Sequence, residues 1–187
     1  MKKKKICLFL RKRLYVKRFS VENYYSELFK NNKNANFIFK FKICPFESRG
    51  ILKRLFLIVW ASFNQGDINH ICGDINFISI LLNKKKTITT ILDNYSLIRL
   101  RGIKKFLYYL FWVKVPIIKS SHIIAISNKT KKELIKYCDV EKKKISTINI
   151  SIQHIFKKKT KRVIRKKPKI LIVGTSINKN IKNILLS

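Results

Sequence analysis

Two aspartates stand at the ends of short β-branched runs, where a carboxylate could do chemistry. Asp74 closes residues 66–74 (GDINHICGD), which also hold His70, and Asp93 closes residues 87–93 (TITTILD). Carboxylates and an imidazole are acid–base groups, and at a strand end they can meet a sugar hydroxyl or a phosphate. The same residues also serve plain structure. Gly-Asp pairs form turns, Asp93-Asn94 suits an Asx turn, and His70 packs as an ordinary side chain. Two serines carry the same double reading. Ser127 precedes a helix-like stretch and Ser20 precedes Val21-Glu22, positions where a hydroxyl caps an unpaired backbone N–H.

Positioning these residues requires strands with helices between them. Apolar, β-branched runs predict strands at 6–10, 37–43, 68–72, 87–92, 122–126, 144–148 and 169–173. Helical spacing falls near 21–30, 50–63, 77–82, 103–114 and 129–137. Such alternation predicts a Rossmann-like, doubly wound α/β fold with a mostly parallel sheet. Ligands of such sheets sit at the carboxyl ends of the strands, where strand order reverses. A basic stretch, residues 157–167 (KKKTKRVIRKK), ends at Pro168 and has the composition of a solvated linker. The expected division is one domain over 1–160, then a linker and the start of a second domain over 161–187.

The chain carries 43 Lys and Arg against 9 Asp and Glu, a formal charge of +34. That balance suits an anionic membrane or nucleic acid, and codon drift towards Lys, Ile and Asn accounts for it equally well. Cys7, Cys44, Cys72 and Cys138 form no CxxC pair, which predicts buried thiols and no zinc site. No Walker loop, GxGxxG fingerprint, Ser/His/Asp order or zinc signature is present. The apolar stretches 55–63 and 106–113 fall well short of the roughly 20 residues of a spanning helix. On a helical wheel, residues 103–114 (IKKFLYYLFWVK) place Ile103, Phe106, Leu107 and Leu110 on one face, with Lys105, Tyr108 and Trp112 opposite. Aromatic rings beside lysines suit a membrane interface, and ordinary packing on both sides explains them as well.

Taken in order, GDINHICGD (66–74), TITTILDNYS (87–96), HIIAISNKTKKELIKY (122–137), KISTINISI (144–152) and KILIVGTSINKNIKNILLS (169–187) resemble family 4 glycosyltransferases of the GT-B fold. In that fold two Rossmann-like domains face each other across a cleft. The resemblance implies sugar transfer from a nucleotide-sugar donor to a glycan or lipid-linked acceptor, with the donor as co-substrate and neither a cofactor nor a metal. Its N-terminal domain holds the acceptor, so Ser20, Glu22, His70, Asp74, Ser127 and the loop after Leu92 would face the cleft. Lys179 matches a lysine that meets the donor diphosphate, where a cation offsets developing charge. The family's strand typically ends in His-Asp, and here Leu92-Asp93 replaces the imidazole with an alkyl group, leaving Asp93 as the catalytic candidate.

The resemblance reaches only the opening of a donor domain. It therefore implies a truncated, inactive copy, unless a separate chain supplies the donor half. Residues 169–187 would then pack as an edge addition or a loose tail. The rival expectation is a non-catalytic basic module on an anionic membrane or nucleic acid, with nucleic acid the less favoured. Both place the chain in the cytoplasm, with peripheral attachment to the inner face of the plasma membrane as an extension.

Overall fold

The computed structural model describes residues 3–12, 20–30, 36–93 and 95–150, with the backbone alone at 20–22, 30, 95 and 98. The chain divides into two compact units, Met1–Gln153 and His154–Ser187, and every described residue lies in the first. Expectations resting on residues 169–187, Lys179 included, lie outside the described residues.

Six strands form the sheet: β1 (Lys4–Leu10), β2 (Phe37–Ile43), β3 (Ile68–Ile71), β4 (Thr87–Ile91), β5 (His122–Ala125) and β6 (Ile145–Thr147). All pair in parallel, in the order β2-β1-β3-β4-β5-β6. Strands that bury both faces read as continuous apolar runs, and Cys7 to Leu10 of β1 are almost wholly buried. The β3 and β4 interior is more polar. It is nonetheless satisfied: Thr87 Oγ1 donates to Asn83 O at 2.8 Å and Thr89 Oγ1 meets Ser120 Oγ at 2.7 Å.

Helices cover both faces, as a doubly wound sheet requires. On one side α1 (Ser20–Lys30) packs Tyr24 and Tyr25 against Leu8, Leu10 and Cys72. On the other, α2 (Ile51–Phe63) packs Leu57, Ile58 and Ala61 against Cys7, Phe9 and a 3-10 segment, Asn76–Leu81. Further along that face run α3 (Tyr95–Arg99), α4 (Gly102–Tyr108), a π-helical turn (Tyr109–Lys114), α5 (Val115–Lys119) and α6 (Asn128–Cys138). Val113, Ile117, Leu134 and Cys138 close a second core there with Ile91 and Ile123. The fold is α/β and Rossmann-like, as predicted, and the sheet is parallel throughout.

Three details differ from the sequence expectation. Residues 77–82 wind as a 3-10 segment beginning at Asn76, and α3 was not anticipated. The helix expected at 103–114 continues through Pro116 to Lys119, with the π turn in between. Proline removes one N–H from the ladder, and a wider turn just before it accommodates the ring. The four cysteines are buried and free, as read from their spacing. No helix among the described residues is long and apolar enough to cross a membrane.

The first Gly-Asp pair of GDINHICGD belongs to the scaffold. Asp67 N–H donates to Lys5 O and Asp67 Oδ2 accepts from Lys5 N–H, each at 2.8 Å, which fixes the amino end of β1. A Cβ on Gly66 would lie 2.7 Å from Lys5 O, so only glycine fits there unchanged.

Candidate functional site

Strand order reverses between β1 and β3, since the chain leaves β1 for β2 on one side and returns to β3 on the other. At the carboxyl ends of β1, β3 and β4 lies a cleft of about 130 Å³. Its floor comes from the residues that follow those strands: Arg11 after β1, Gly73 and Asp74 after β3, and Leu92 and Asp93 after β4. Asn76, Ser96, Tyr108 and Trp112 form the far wall. This is the crevice in which open α/β sheets hold ligands.

The wall is built around Trp112. Its indole stacks on Tyr108, with centroids 5.5 Å apart and planes at 11°, and packs on Phe77 at 5.0 Å. Arg54 of α2 lies 4.8 Å from the indole centroid, a cation–π contact that leaves the guanidinium donating through Nε to Ser48 O at 3.0 Å. Pro116 has no N–H to offer the carbonyl of Trp112, four residues back. Asn76 Nδ2 donates to that carbonyl at 3.1 Å. The amide is thereby oriented, and Asn76 is only 6% exposed. Its Oδ1 is buried and has no hydrogen-bond partner among the described residues. Buried acceptors are normally satisfied, so this orphan beside the crevice is unusual.

Electrostatics separate the cleft's acids. Asp74 keeps an exposed edge, yet loss of hydration against the cleft walls pushes its carboxyl above the ordinary 3.8. Arg11, the Trp112 side chain and Arg54 pull it back, while Asp93 pushes it further up. The Tyr108 phenol is driven up to about 12, chiefly by burial and then by Asp74, against a hydrogen bond with Ser96. It therefore stays neutral. The cleft is thus lined by two carboxylates, a guanidinium, a neutral phenol and a buried amide. Acceptors of this kind with one strong donor are suited to a small polyhydroxylated ligand.

The cleft brings together Asp74, Leu92 and Asp93 and excludes two other candidates. His70 points to the opposite face, where Nε2 lies 2.8 Å from Thr90 Oγ1, which in turn accepts from Tyr25 O–H at 2.8 Å. Burial lowers its pKa from 6.5 to about 4, so it is a neutral core residue. Ser127 caps α6: its Oγ accepts from Thr130 N–H at 3.1 Å, and it does not line the cleft. α1 begins at Ser20, and the side chains of Ser20 and Glu22 lie outside the described residues.

The Tyr108 and Trp112 face packs inward, the alternative to a membrane interface. Those rings turn inward to the cleft, and Ile103, Phe106 and Leu107 face outward instead. Packing on Phe77 and Arg54 holds the indole on the core side. Asn76 and Ser96 are not among the sequence candidates, and for Tyr108 and Trp112 the sequence leaves packing and a membrane interface both open. A proline four residues beyond Trp112 was the available signal, since it announces a carbonyl in need of a donor.

Fold and cleft together define a Rossmann-like α/β domain with a crevice at its switch point. Compared with known protein families, curated proteins and solved structures, the chain matches none.

Proposed function

We propose that this chain is the acceptor-side domain of a GT-B glycosyltransferase, and that the switch-point cleft holds a hydroxylated acceptor. One observation carries the reading: Asp74 and Asp93 line one small crevice that Asn76 also borders, so two carboxylates and an amide gather around it. A sugar presents hydroxyl donors in that density. The order of the five sequence blocks supports the same family. Leu92 supplies no hydrogen bond where the family has an imidazole, so within this domain positioning falls to Asp74, Asn76 and Asp93.

Saturation-transfer NMR with a panel of free monosaccharides tests the proposal. Transfer to at least one sugar, lost in an Asp74→Asn/Asp93→Asn double variant, is the expected result. No transfer to any sugar, or transfer unchanged by the double variant, overturns it.

A further inference from the structure

Helix α2 is apolar on both sides. Leu57, Ile58 and Ala61 fill the core, while Ile51, Leu52, Leu55, Phe56, Val59 and Phe63 face outward. From Leu52 the outward residues recur at the third, fourth, seventh and eleventh positions, the repeat of one continuous helical stripe. Leu52 is 83% exposed and Phe63 85%. Scattered apolar residues are normal on a surface, whereas a contiguous stripe marks a contact. Phe46 extends it, packed edge-on against Phe56 at 4.9 Å.

We propose that this stripe is a membrane-docking surface for anionic lipid, a conclusion independent of the glycosyltransferase reading. Charge selects the occupant. The only ionisable residues of α2 are Lys53 and Arg54, and no carboxylate interrupts the stripe. On the same side of the sheet α4 exposes Ile103, Phe106 and Leu107 beside Lys104 and Lys105. Two copies of a chain bearing +34 repel each other, and an anionic bilayer attracts both. Apolar side chains entering the acyl boundary with lysines at headgroup level are the pattern of an interfacial helix.

The test is co-sedimentation of the 187-residue chain with vesicles of phosphatidylcholine alone or mixed with phosphatidylglycerol, at low and high salt. A Leu52→Ser/Phe63→Ser variant removes the two most exposed side chains and leaves the core untouched, with circular dichroism confirming the fold. Expected are preferential binding to the mixed vesicles, about tenfold or greater weakening in the variant, and unchanged binding of both proteins to random-sequence DNA. Equal vesicle binding by variant and parent would show that charge alone acts, and overturns the proposal. So would a parent dimer that the variant converts to monomer without any change in vesicle binding, since the stripe would then join two copies.

Discussion

Asn76 Nδ2 donates to the backbone carbonyl of Trp112 at 3.1 Å, across 36 residues of sequence. That bond ties the segment after β3 to the helix carrying the aromatic wall, and it orients Asn76 Oδ1, which is buried without a hydrogen-bond partner among the described residues. Replacing the donor should be felt in the fold itself. In Asn76→Asp a carboxylate oxygen would face the Trp112 carbonyl, acceptor against acceptor. A loss of about 1–3 kcal/mol is expected, measured by urea denaturation at neutral pH. An unchanged midpoint would show that the amide does not hold the wall.

His70 makes stability depend on pH in one direction. Its folded pKa is lowered from 6.5 to about 4, so the unfolded chain binds a proton throughout that interval while the folded chain does not. Stability therefore falls as pH drops from 6.5 towards 4, by up to about 3 kcal/mol. Substituting His70→Gln should flatten the slope of denaturation midpoint against pH in this window. A slope equal to the parent's would place its origin elsewhere.

Asp74 acts with the opposite sign. Its folded pKa is raised, so the folded chain keeps a proton that the unfolded chain gives up near 3.8, and stability falls as pH rises through that region. Asp74→Asn should be more stable than the parent at neutral pH and equal to it below the ordinary carboxyl range. Thermal melts at the two extremes distinguish this from a packing effect of the amide, which would not vanish at low pH.

Much of this architecture was readable in the chain. Residues 37–43 have the bounds expected for β2, because seven alternating aromatic, aliphatic and lysine residues admit little else. Ser127 declared itself as a cap by standing between an apolar strand and a lysine-rich helix. Asp74 and Asp93 were found because loops after parallel strands converge on one edge. For His70 the sequence leaves a cleft role and a packed side chain both open, since a residue inside a strand takes its face from register, and only the pairing of β3 with β4 reveals that it meets Thr90. The far wall was hidden for a related reason. Whether Tyr108 and Trp112 face core or solvent is decided by Phe77 and Arg54, which are distant in sequence.

Gly66 offers a test of the scaffold apart from the site. A Cβ there would press on the Lys5 carbonyl at 2.7 Å, a backbone atom held between strands with little freedom to retreat. Gly66→Ala should cost about 1–3 kcal/mol through strain at the start of β1, read as a lowered melting temperature. An unaltered melting temperature would mean that the strand end yields.

On the function proposed above, the switch-point cleft, and not the basic surface, recognises a hydroxylated ligand. Backbone amide shifts of the isotopically labelled chain, titrated with a monosaccharide, test it most directly. Saturable shifts at Gly73, Asp74, Asn76 and Asp93 are predicted. Shifts absent from these four, or spread over exposed lysines such as Lys84 to Lys86, would contradict it.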